Sequence, residues 1–173
     1  LTRKRWITAF APRLAHDETN MAEFFATYPD GRLIQIVRDP KGWYPSAKNH
    51  AKSGFGDKAA EHILNRWRIS VESMLRNRSL YGDRVIILRF EDLVGRTEPT
   101  MRELASKLGI CYDPILLEPT FNGQIMRANS SFEVAQGGVI AAPLARDKML
   151  AEDERRLIEE RCGELYQGVL ADA

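Results

Sequence analysis

Apolar residues along this chain fall into two patterns that alternate. Short runs rich in β-branched and aliphatic residues occur at "RWITAF" (Arg5–Phe10), "RLIQIV" (Arg32–Val37) and "RVIILRF" (Arg84–Phe90). Such runs predict strands, and Pro12 ends the first. Elsewhere apolar residues recur every three or four positions, the spacing of a helix face turned to a core. The longest such segment, Lys58–Ser79, carries Ile63, Leu64, Trp67, Val71, Met74 and Leu75 on one face. A second, Glu152–Leu170, carries Leu157, Ile158, Cys162, Leu165, Tyr166 and Val169. A short helix capped by Thr19 brings Met21, Phe24, Phe25 and Tyr28 to one side. Another, capped by Thr97 or Thr100, stops at Gly109, and Thr100 with Glu103 has the form of a capping box. From Cys111 to Pro143 periodicity fades, and the segment reads as long and irregular.

Strand and helix patterns that alternate in this way predict an α/β layered fold with parallel strands. The 173 residues suit a single domain, 1–173, with a full core. Three strands make a thin sheet for such a fold, and the chain enters its first strand almost at once after Leu1. The expectation is a fold that is incomplete at its N-terminal end.

Charge changes this picture little. The formal net charge is +1, which calls for neither nucleic acid nor an anionic membrane as partner. Any anion site must therefore be local, built from a few placed groups. No apolar run approaches the roughly 20 residues of a membrane span, and no signal-peptide pattern is present. Two isolated cysteines, Cys111 and Cys162, suggest no disulfide framework, so a cytoplasmic setting is expected. His16, His50 and His62 lack metal-ligand spacing, so no metal is expected. There is no G-x-G-x-x-G after a strand and no G-x-x-x-x-G-K-[ST] loop; Gly54 and Gly56 read as a flexible connection.

One stretch does suggest chemistry. In "LIQIVRDPKGWYPSAKNH" (Leu33–His50) a strand ends on Arg38, Asp39 and Pro40 have the form of a helix cap and first turn, and Ser46 follows about two turns on. Ligands of open α/β sheets bind beyond the carboxyl ends of strands, where helix N-termini present free N–H groups. A guanidinium offers a rigid two-pronged donor and a hydroxyl one more, a set suited to a phosphate monoester. Ser46 sits roughly 10 Å along the helix, within joint reach of one anion and a long Arg side chain. Pro45 predicts a kink or a delayed helix start. The competing reading is a surface corner in which Arg38 is merely solvated.

These residues also carry a resemblance. "IQIVRDPKGWYPS" resembles the 3′-phosphate-binding segment of the sulfotransferases that use 3′-phosphoadenosine-5′-phosphosulfate (PAPS). "YGDRVIILRFEDLVGRTEPTMRELASKLGI" is similar to that family's strand with a Tyr-Glu-Asp motif and the following helix, with Phe90, Glu91 and Asp92 at the motif positions. "FNGQIMRANSSFEV" resembles the C-terminal loop that closes over the cofactor. The resemblance implies a three-layer parallel sheet of the P-loop nucleotide-hydrolase-like sulfotransferase type. It implies sulfuryl transfer from PAPS, leaving adenosine 3′,5′-bisphosphate (PAP), to a hydroxyl or amine on a small-molecule, carbohydrate or lipid acceptor. It also implies that Arg38 and Ser46 hold the 3′-phosphate and that Phe90 lies against the adenine, with packing kept and a tyrosine hydroxyl lost. Arg127, Asn129 and Ser130 would add phosphate contacts. Trp43 and Trp67 read as core, and Glu91 and Asp92 as ties from the strand end to neighbouring backbone.

The departures matter as well. The family's phosphosulfate-binding loop, with its Lys or Arg, has no counterpart in these 173 residues, so this chain alone is expected to be inactive. The family's catalytic base is a His or Glu; the place many members give it holds Phe10 and Ala11, which leaves His16, and behind it His50, as candidates. Two other readings stand beside the enzyme. One is a nucleotide-binding or interaction module that has lost transfer chemistry. The other is a phosphotransferase of the related phosphate-loop superfamily.

Overall fold

Five residues dense in branched side chains, LIQIV and VIILR, form each of two strands, β1 (Leu33–Val37) and β2 (Val85–Arg89). They pair in parallel, with Leu33 opposite Val85 and Val37 opposite Arg89. A parallel pair needs a long crossover; here helices α2 (Pro40–Ala51) and α3 (Ala59–Tyr81) supply it, after α1 (Glu18–Thr27) has preceded β1. Past β2 come α4 (Phe90–Gly95), α5 (Thr97–Leu108), a hairpin of β3 (Thr120–Phe121) and β4 (Gln124–Ile125), a 3-10 helix (Ala142–Met149) and α6 (Glu152–Asp172). The computed structural model describes residues 6–12, 14–51, 59–121, 124–126 and 138–172. Among them, no helix is long and apolar enough to cross a membrane.

The core follows the periodicity. Ile63, Leu64, Trp67, Val71 and Met74 of α3 are buried against Ile158, Cys162, Tyr166 and Val169 of α6, together with Val37 and Ile87 from the strands. At the strands' beginnings Val85 packs on Met21 and Phe25 of α1. On the other side of β2, Ile86 and Leu88 pack on Leu104 of α5. The predicted mixture of helices with parallel strands therefore holds, as an α/β fold with a small parallel sheet.

Four expectations need correction. Residues 6–10 form no strand, and Ile7 (79% exposed) and Phe10 (93%) stand in solvent. Strand propensity measures fit to a pleated, half-buried surface, and this run has no ladder beside it, so the described sheet has two parallel strands rather than three. Helix α1 starts on Asp17, not Thr19: Asp17 Oδ1 accepts the Asn20 N–H at 2.9 Å. Helix α5 begins at Thr97, which leaves Thr100 a turn inside, where its hydroxyl donates to the Asp92 and Arg96 carbonyls instead of forming a capping box. Its stop at Gly109 holds, in the left-handed region at φ 65°. Finally, the segment after Cys111 is less irregular than periodicity suggests. A 3-10 turn at Pro114–Leu117 is capped by Asp113, and Thr120–Phe121 pairs antiparallel with Gln124–Ile125.

Candidate functional site

Arg38 is the first residue beyond β1, and three elements fix its backbone and the helix that follows. Trp67 Nε1 of α3 donates to the Arg38 carbonyl at 3.0 Å, so the buried tryptophan is both core and anchor. Glu91 Oε1, just past β2, accepts the Asp39 N–H at 3.0 Å, tying the ends of the two strands together as the structural reading of Glu91 expects. Asp39 Oδ1 in turn accepts the Lys41 N–H at 2.7 Å, an N-cap with Pro40 in the first turn. With start signals this strong, α2 begins at Pro40 and runs through Pro45; the start is not delayed.

Gly42 and Ser46, one turn apart, share the face of α2 that meets the Arg38 side chain. A methyl added at Gly42 would lie 3.5 Å from Arg38 Nε, so the guanidinium lies across the glycine. Arg38 Nη1 donates to Ser46 Oγ at 3.3 Å, and Nη2 donates to the Pro143 carbonyl at 2.6 Å. The guanidinium carbon sits 4.6 Å from the centre of the Phe90 ring, a cation–π distance. Phe90 thus spends one face on holding Arg38.

A second guanidinium reaches the same hydroxyl. Arg146, buried in the 3-10 helix Ala142–Met149, donates from Nη1 to Ser46 Oγ at 2.5 Å. That helix is bound to α6, where Arg155 donates to the Asp147 carbonyl. Burial first, and then the neighbouring Arg146 charge, push the Arg38 guanidinium down to about 10, against the opposing pull of Glu91 and Asp39. Burial also lowers Arg146. Two partly desolvated cations thus meet around one hydroxyl at the carboxyl end of a strand, donors of the kind that a tetrahedral anion accepts from.

Residues 4–114 match the family model described as "Sulfotransferase family". The chain belongs to the sulfotransferase family. A solved structure with the same fold is the sulfotransferase domain from the curacin biosynthetic pathway. It has a TM-score of 0.62 and 18% identity over 87% of this chain and 60% of that one. The chain therefore spans less than two thirds of that domain. No curated protein matches the chain.

Of the residues singled out in the sequence, Arg38, Ser46 and Phe90 come together at this site. Arg127, Asn129 and Ser130 lie outside the described residues, as do Gly54, Gly56 and the side chain of His50. His16 is exposed in the 3-10 turn Leu14–His16, whose Ala15 carbonyl accepts from Asn77 near the end of α3 and whose Ala15 side chain packs with Val85. That is the starting end of the strands, so the structure does not bring His16 to Arg38. Pro143 and Arg146 were missed by the periodicity. A proline-led "APLARDKM" ahead of an acidic helix start was the available signal, and it marks a turn without saying what the turn meets. Among the described residues no group of His, Cys, Asp and Glu has the makings of a metal site.

Proposed function

We propose that this chain carries the 3′-phosphate side of a PAPS site, in an enzyme that transfers a sulfuryl group to a hydroxyl or amine acceptor. The observation that carries the proposal is the convergence of Arg38 on Ser46 directly after β1, within a chain of the sulfotransferase family. PAPS differs from ordinary adenine nucleotides by its 3′-phosphate, and a fixed guanidinium plus a hydroxyl is a reader of that group. When bound, PAPS supplies the activated sulfuryl group; this chain's part is to hold and orient the nucleotide. Arg38 donates two hydrogen bonds and a positive charge, Ser46 adds a neutral donor, and Phe90 keeps the guanidinium in place while bordering the adenine side. Arg127, Asn129 and Ser130 belong to the same proposal as further phosphate contacts. The parallel pair β1–β2, with helices packed on it, is read as part of a three-layer sheet of the phosphate-loop type. The acceptor is a small molecule, carbohydrate or lipid. Free thiols at exposed Cys111 and buried Cys162 accord with a cytoplasmic enzyme.

Calorimetric titration tests the reading. Arg38→Ala is expected to weaken PAP by about 2–4 kcal/mol, the loss of a charge-assisted pair in a partly buried site. Ser46→Ala should cost about 0.5–1.5 kcal/mol, as for one hydrogen bond. Both variants should leave adenosine 5′-monophosphate unchanged. If Arg38→Ala weakens the two ligands equally, Arg38 supports the fold and does not read the phosphate.

A further inference from the structure

Arg38 and Asp39 lie between the last residue of β1, Val37, and the first of α2, Pro40, so the peptide that joins them belongs to neither strand nor helix. Both of its polar groups are nevertheless bonded, and by side chains. The Arg38 carbonyl accepts from Trp67 Nε1 at 3.0 Å, and the Asp39 N–H donates to Glu91 Oε1 at 3.0 Å. Backbone polar groups away from water need partners. Here two separate elements, α3 and the first turn of α4, supply them to a single peptide plane.

A planar group held at both edges resists rotation. Its orientation sets ψ of Arg38, and with it where α2 runs relative to the Arg38 side chain. That relation decides whether the guanidinium lies beside Gly42 and Ser46, as it does here. The two holders are themselves fixed. Trp67 is buried, and the Tyr166 ring of α6 meets its indole edge-on with centroids 6.2 Å apart. Glu91 gives one oxygen to Asp39, while the other, Oε2, is buried and makes no hydrogen bond among the described residues. Such an oxygen costs stability, and what the carboxylate holds is the peptide that aims Arg38.

We propose that Glu91 and Trp67 are positioning residues for phosphate binding: they grip one peptide from both edges and so preset Arg38 over the start of α2. The inference rests on the 3′-phosphate reading above and deepens it, because a guanidinium already in place loses less freedom when an anion arrives. The alternative is that the two bonds only brace the strand end, in which case any folded variant reads the phosphate as the wild type does.

Calorimetric titration of the full chain with PAP and with adenosine 5′-monophosphate separates these. Glu91→Gln and Glu91→Ala remove the same charge, but only glutamine keeps an oxygen for the Asp39 N–H. The alanine variant should bind PAP about 10-fold more weakly than the glutamine variant, with no such gap on the monophosphate. Trp67→Phe keeps a ring in the core and loses the indole N–H. It should weaken PAP by about 5- to 10-fold and leave the monophosphate unchanged. Circular dichroism and thermal melting identify a variant that has failed to fold, and the other comparison then decides alone. The inference is overturned if the two Glu91 variants bind PAP alike, if Trp67→Phe binds it as the wild type does, or if a loss falls equally on both nucleotides. If Arg38→Ala is selective for PAP and these variants are not, the inference falls and the 3′-phosphate reading stands. If Arg38→Ala is not selective, the reading falls, and the inference with it.

Discussion

Arg38 is ordinary as a residue and unusual in its surroundings. It faces Arg146 from the 3-10 helix, Glu91 from α4 and Asp39 at the start of α2, with the Trp67 indole on its carbonyl. Burial, and then Glu91, push up the phenol of Tyr166 in α6. The sign of the pH effect follows. Arg38 must be charged to hold a phosphate, its proton affinity is depressed to about 10, and a bound anion would restore it. PAP affinity should therefore be flat through mildly alkaline pH and decline above about 10, with proton uptake linked to binding. Calorimetry near pH 10.5, in two buffers of different ionisation enthalpy, measures that uptake. A solvated arginine would show none, because its guanidinium stays protonated there. At this scale Arg38 and Ser46 were legible in the sequence because their spacing is local, set by one strand end and two helical turns. Arg146 was not, because its partner lies 100 residues away.

The elements that hold the site are two long helices and one short one. Helices α3 and α6 were visible in the sequence because apolar side chains three and four apart must share a face, and that face became the core. Ile158, 1% exposed in α6, lies in the cluster that also holds Trp67, the residue anchoring Arg38. Ile158→Ala should cost about 2–4 kcal/mol of unfolding free energy in urea denaturation, as for a large-to-small change in a close-packed core. A loss well under that would mean that α6 packs more loosely than its burial indicates. The 3-10 helix Ala142–Met149 was not legible, since it offers no 3.6-residue stripe and its value lies in what it touches. The opposite error occurred at residues 6–10, where a run of strand-forming residues found no neighbouring strand to complete a ladder.

Across the whole molecule, the candidate site joins parts that the chain separates: the end of β1, the face of α2 and the segment just before α6. A ligand held by Arg38 and Ser46, as proposed, should bind only the folded state and stabilise it. At 100 times its dissociation constant the gain is about 2.7 kcal/mol. For a chain of this size that corresponds to a rise in Tm of roughly 5–10 °C. Differential scanning fluorimetry with PAP checks this, with adenosine 5′-monophosphate expected to give a smaller shift at equal concentration. Equal shifts would count against phosphate reading at this site. What the amino-acid sequence determined by itself was everything governed by short-range rules. The branched runs Arg32–Val37 and Arg84–Phe90 held the paired strands Leu33–Val37 and Val85–Arg89, periodic faces became α3 and α6, and the Asp39-Pro40 cap started α2 just past an arginine. Only the tertiary structure decided which groups share the space around Ser46. The Pro143 carbonyl and the Arg146 guanidinium arrive there because α6 packs on α3 and brings the preceding turn against α2. Local spacing cannot encode such a meeting; it is set by how the buried faces of distant helices fit together.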